Sequence, residues 1–201
     1  MNEEVALTVG YKEWEAVCEA LGTGRQCVLL RKGGIHEGRA GFSFKHERFF
    51  LFPTRFHAQV EQVRVSRDAA APGGEWAEGD EVPVRFWCEA SRAGTLTSWE
   101  AVRQLEPYHV WGEDLVRERY DCGEIQQIHC ALVRVFALPQ PWVMPYEKHY
   151  GGCRTWVELL APPENWERQL TPVLDDHEFA TRQAAIEEIL GAYPDSAIRR
   201  L

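Results

Sequence analysis

The sequence predicts an α+β fold: a mostly antiparallel sheet or partly open barrel, flanked by short helices and followed by a C-terminal helix. Three observations predict it. Helix-like and strand-like segments follow one another in irregular order, whereas a doubly wound chain alternates. Residues 82–88 and 128–138 carry strand patterns, the first by clean alternation and the second by β-branched and aromatic content. Asp175 and Glu178 stand at capping-box spacing ahead of Phe179, Ile186, Ile189 and Leu190, which marks a final helix ended by Gly191.

Taken in order, Tyr11, Trp14, Val17, Cys18 and Leu21 recur at helical spacing opposite Glu13, Glu15 and Glu19, and Gly22 offers a stop. A helix is expected over 11–21. Strands are expected over 25–31, 41–45 and 48–52, joined by the Gly33-Gly34 turn into a small meander. Residues 66–81 form a loop or linker, and Val82, Val84, Phe86 and Cys88 begin the next strand. Thr97 and Glu100 have capping-box spacing before Trp99, Val102 and Leu105, and residues 113–120 form a second short helix with acids in its first turn. A further strand is expected over 155–160 before Pro162-Pro163 breaks the chain. The 201 residues suit one domain over 1–165, with 166–201 as a helical appendage packed on it.

Composition narrows the function classes. Hydrophobic residues at 45% and charged residues at 26% describe an ordinary globular chain with a core of its own. The net charge of −9 argues against a protein that coats polyanions indiscriminately. No basic region precedes an apolar stretch near Met1, and the most apolar run, 125–144, is interrupted by Arg134, Pro139 and Pro141. Neither a leader nor a membrane span is expected, and a cytoplasmic location follows. Of six cysteines, 18, 27, 88 and 130 lie in apolar contexts, and no Cys-x-x-Cys occurs, so reduced core thiols are expected.

The charge is segregated. Residues 25–67 hold nine cations against three acids, and the same segment carries Phe42, Phe44, Phe49, Phe50, Phe52 and Phe56. Cations neutralise phosphates and exposed rings stack on bases, although phenylalanines on strands more often build a core. Arg31-Lys32-Gly33-Gly34 is the sharpest local feature: two cations precede two glycines whose backbone can approach an anion. Arg55 and His57 follow the strand end at Pro53 and join Arg31 if the meander forms. His109 and Trp111 lie between the short helices, and Arg154 and Trp156 follow the glycine pair 151–152.

Enzymatic readings have less behind them. His149 with Cys153 offers a base and a thiol, and Cys122, His129, His149 and Cys153 offer metal ligands, but neither set has diagnostic spacing. A Cys153 buried under Trp156 is the simpler reading. Gly-x-Ser-x-Gly, His-Glu-x-x-His, a P-loop and Asp/Glu-x-Lys are all missing, so no cofactor or metal is expected and no catalytic residue is assigned.

Four stretches, residues 29–35, 50–57, 109–111 and 150–157, together with the segment 11–21 ahead of them, resemble the domain-of-unknown-function family 1802. The resemblance covers roughly residues 8–160 and brings no established activity. It implies association with restriction-type nuclease domains, hence DNA handling or defence, with a separate nuclease subunit as partner. The expected function is a non-catalytic module that binds a phosphate-bearing ligand such as nucleic acid through Arg31, Lys32, Gly33, Gly34, Arg55, His57, His109, Trp111, Arg154 and Trp156. A divergent metal-dependent nuclease, a Cys153 hydrolase and a protein–protein interaction module are the alternatives.

Overall fold

The computed structural model describes residues 8–32, 42–55, 62–64, 74–196 and 198–201. Its centre is a pair of long antiparallel strands, β4 (Glu81–Leu96) and β5 (Ile128–Pro145), paired from Glu81↔Pro145 to Leu96↔Ile128. Around them stand β1 (Val9–Trp14), β2 (Val28–Arg31), β3 (Arg48–Thr54) and β6 (Trp156–Glu158) in the order β2-β5-β4-β3-β1-β6. Short strands β7 (Thr171–Pro172) and β8 (Ile198–Arg200) add to β5 and β4. Every described pairing is antiparallel except β1 with β3. The sheet curls into a half-barrel. Three strands separate β2 from β1 in the order, yet the Arg31 guanidinium lies 5.9 Å from the Tyr11 ring centroid.

Helices α1 (Glu15–Gly22), α2 (Trp99–Gln104), α3 (Glu113–Asp121) and α4 (Asp176–Gly191) complete the chain. Side chains alternate across a strand, and β3 uses both faces. Phe49 and Leu51 join one core with the helices, while Phe50 and Phe52 join a second with Val82, Val84, Trp142, Met144 and Tyr150. That two-sided burial explains why the aromatic run of β3 shows no polar alternation. Helix α4 is capped as the sequence predicts, Asp175 accepting from the Glu178 amide, and it buries Phe179, Ile186 and Leu190. It is pinned by Arg182, which donates to the Gly24 carbonyl, and by ion pairs from Arg134 to Asp176 and Arg92 to Glu187.

Several expectations are corrected. Residues 9–14 are a strand, and the helix begins only at Glu15; the amide of Lys12 bonds the Thr155 carbonyl, and β1 pairs in parallel with β3. The meander does not form: β2 pairs with β5, and β3 lies between β4 and β1. Phe42 and Phe44 are buried, but residues 42–46 form no strand. Ser98, not Thr97, caps α2; Thr97 and Ser98 both donate their amides to the Ser196 hydroxyl. The late strand is confined to β6. Cys18, Cys27, Cys88 and Cys130 are buried free thiols, as expected. No described helix is long and apolar enough to cross a membrane.

Candidate functional site

The strongest concentration of unusual polar groups sits at the seam where β1, β2 and α3 meet. Tyr11 and Glu13 point from β1 into the first core and are 0% and 1% exposed. One Glu13 oxygen accepts the Trp14 amide at 2.7 Å, and the other, Oε2, has no partner among the described residues. Burial raises the Glu13 carboxyl pKa, and the nearby Arg31 and Arg119 guanidiniums oppose that rise. Arg119, on α3, lies over two indoles, 5.1 Å from Trp14 and 5.5 Å from Trp111, and donates to the Leu30 carbonyl at 3.4 Å.

Behind Arg119 stand His109 and Trp111, with ring centroids 5.6 Å apart. His109 Nδ1 and Trp111 Nε1 are buried without partners among the described residues. Burial, reinforced by Arg64 and Arg119, holds the His109 imidazole at a pKa of about 3, so it is neutral near pH 7. Arg64 fixes this segment by donating to the Glu106 and His109 carbonyls, each at 2.7 Å.

On the other face of β1, Lys12 is buried and donates its ammonium to the Tyr150 and Gly152 carbonyls at 2.5 and 2.8 Å. Burial lowers its pKa, and the positive fields of Arg31 and Arg154 lower it further. Arg31 thus stands in two neighbourhoods, acting on Glu13 together with Arg119 and on Lys12 together with Arg154.

The residues expected from sequence divide accordingly. Arg31 is half-exposed at the seam, Arg154 is exposed beside Lys12, and Trp156 packs edge-on against Tyr11 at 5.0 Å and His46 at 4.8 Å. The structure brings these three together. His109 and Trp111 are buried at 5% and 0% exposure, so Trp111 offers no outer stacking face; both approach the seam from inside through Arg119. Lys32 is spent on structure, donating to the Tyr120, Ile125 and Gln127 carbonyls and closing the chain after α3. Arg55 is committed elsewhere: it pairs with Glu15 at 2.8 Å and stacks 3.6 Å over Trp76. Gly33, Gly34 and His57 lie outside the described residues.

The residues of the thiol and metal readings are placed as follows. Cys153 is exposed rather than covered by Trp156. His149 turns to Glu147 at 3.3 Å, and His129 Nδ1 meets the Thr95 hydroxyl at 3.1 Å. No group of three His, Cys, Asp or Glu suited to a metal exists among the described residues. Sequence reasoning missed Lys12, Glu13 and Arg119. The signal available was a Lys12-Glu13 pair set between Tyr11 and Trp14, whose carboxylate helical spacing had placed on a solvent face.

These features define an α+β half-barrel domain in which β2 approaches β1 at a group of arginines and a buried carboxyl. The chain belongs to the family described as "Domain of unknown function (DUF1802)", whose model matches residues 10–185. No curated protein matches the chain. Among solved structures, it is similar to the ASCH protein from Zymomonas mobilis, with 13% identity, a TM-score of 0.41, and coverage of 88% of this chain and 94% of that one. A single-substitution variant of that protein matches with 11% identity, a TM-score of 0.42, and coverage of 89% and 96%.

Proposed function

We propose that the protein is a non-catalytic binding module for a phosphate-bearing ligand, nucleic acid above all. The observation that carries this reading is that Arg31, half-exposed over Tyr11, stands beside β1 with Lys12 and the exposed Arg154 on one side and Arg119 and the buried Glu13 on the other. Arg31 and Arg154 reach solvent and supply phosphate contacts; Lys12 and Arg119 hold the walls and add field. Binding is then local, which reconciles it with a net charge of −9. Action beside a separate nuclease in a restriction or defence setting belongs to the same proposal and rests on the family resemblance.

Fluorescence-anisotropy titration tests the reading, with single-stranded DNA, duplex DNA and RNA at low and moderate salt, with and without magnesium. Binding that weakens with salt and leaves the probe intact supports a module. Shortening of the probe replaces it with an enzyme, and no binding to any probe at low salt removes nucleic acid as the ligand.

A further inference from the structure

A second feature lies away from the arginine seam, where β5 breaks its ladder with β4. Val84 pairs with Trp142 and Phe86 with Ala137, so Arg85 alone stands opposite four residues, 138–141. Those four bulge outward, and a bulge of this kind re-aims side chains beside functional sites. The facing wall is the segment 163–169, returned to β5 by the pairing of β7 with Phe136 and Ala137. Asn165 there adopts φ 58°, the left-handed conformation that Asn enters more readily than other non-glycine residues and that turns the chain sharply.

Between bulge and turn is a cavity of about 250 Å³. Its walls are apolar: Trp142, Trp166, Leu138 and the prolines 139, 141 and 163. Both indoles are held by Phe50, at 5.1 and 4.7 Å, and Trp166 also by Trp87 at 5.5 Å, so the rings are fixed before any ligand arrives. The remaining lining groups are the carboxamides of Gln140, Asn165 and Gln169 and one carboxylate, Glu164. No Lys or Arg lines the cavity.

We infer that this cavity takes a single nucleobase. A base has apolar faces and an edge of mixed donors and acceptors, and that division matches rigid indole and proline walls with carboxamides beside them. The volume falls below the range of about 300–1,000 Å³ typical of extended ligands, so one ring system fits. The absence of lining cations excludes a phosphate from the cavity itself. A pyranose also joins an apolar C–H face to hydroxyls that carboxamides can meet, so glucose is the competing probe in the test. An alkylammonium would use Glu164 and leave three carboxamides idle. The inference is independent of the arginine seam, because its probes carry no phosphate.

Titration of the whole chain with cytidine, uridine, adenosine and guanosine, followed by the indole N–H resonances, is the test. At least one nucleoside is expected to shift the Trp142 and Trp166 signals selectively. Trp166→Ala should weaken that binding by about tenfold or more. Because Trp166 also packs on Phe50, the exposed pair Gln140→Ala and Gln169→Ala supplies a variant that leaves the walls intact, and it should weaken binding or change base preference. Arg31→Ala should leave nucleoside binding unchanged, so failure here and failure of the anion reading are separable. The inference is overturned if no nucleoside shifts either indole, or if choline or glucose shifts them and nucleosides do not.

Discussion

The salt dependence of binding offers the sharpest prediction, because the structure says which cations can move it. Arg154 is exposed and Arg31 half-exposed, each with no hydrogen bond among the described residues, whereas the Lys12 ammonium is engaged by two carbonyls and Arg119 donates to the Leu30 carbonyl between two indoles. Lys32 is the wrong choice for a charge-removal variant, since its loss would release the Tyr120, Ile125 and Gln127 carbonyls. The informative variant is Arg31→Ala with Arg154→Ala. Two phosphate contacts contribute about 1.4 to the slope of log affinity against log salt on a single strand, and about 1.8 on a duplex. Between about 50 and about 200 mM salt, the wild type should therefore lose about 7-fold more affinity than the variant on single strands, and about 12-fold more on duplex. Anisotropy titrations at four salt concentrations measure both slopes. An unchanged slope in the variant would refute the argument even if affinity fell, because the arginines would then act through structure. Arg55→Ala is the control: committed to Glu15 and Trp76, it should leave the slope alone.

Two further predictions concern the frame of the site. Ser196→Ala removes the buried hydroxyl that accepts the Thr97 and Ser98 amides, both at 2.9 Å. It should cost about 2 kcal/mol and lower Tm by about 4–8 °C, read by urea and thermal unfolding; a change within about 0.5 kcal/mol would show that water takes over both amides. His109, held at a pKa of about 3, refuses below pH 6.5 a proton that the unfolded chain accepts. Stability should therefore fall as pH drops between about 6.5 and 3, by up to about 1.4 kcal/mol per unit from this group, and His109→Gln should flatten that slope. Equal slopes in the two proteins would place the imidazole in contact with solvent.

Much of the fold was legible where local chemistry and tertiary packing agree. The Asp175–Glu178 cap, the alternation of Val82, Val84 and Cys88 and the β-branched run of β5 each point the same way at both levels. The failure at β1 has a specific cause. On a strand, Tyr11 and Glu13 share a face, and alternation reveals itself only when the inward residues are apolar. Here one inward residue is a carboxylate, so the period of two was masked, and the accidental spacing of Tyr11, Trp14, Val17, Cys18 and Leu21 read as a helix. The meander failed for a different reason. The partner of β2 is β5, about a hundred residues away, and no turn chemistry announces a pairing of that range.

The same carboxylate hid the site. A basic segment rich in phenylalanine drew attention to Arg31, Lys32 and Arg55, yet proximity along the chain is a poor guide to which cations share a field. Lys32 found carbonyls, Arg55 found Glu15, and only Arg31 was left facing the seam. Its companions came from elsewhere: Lys12 and Glu13 from a misread strand, Arg119 from a helix whose basic residues seemed explained by the helix dipole, and Arg154 from the turn before β6. A curled sheet makes such assemblies by bringing together strands that are distant in its order, as β2 and β1 are here with three strands between them. What distinguishes Arg31 from Lys32 and Arg55 is therefore not its sequence context but a guanidinium that makes no hydrogen bond or ion pair among the described residues, and that difference is what a salt-slope measurement reads.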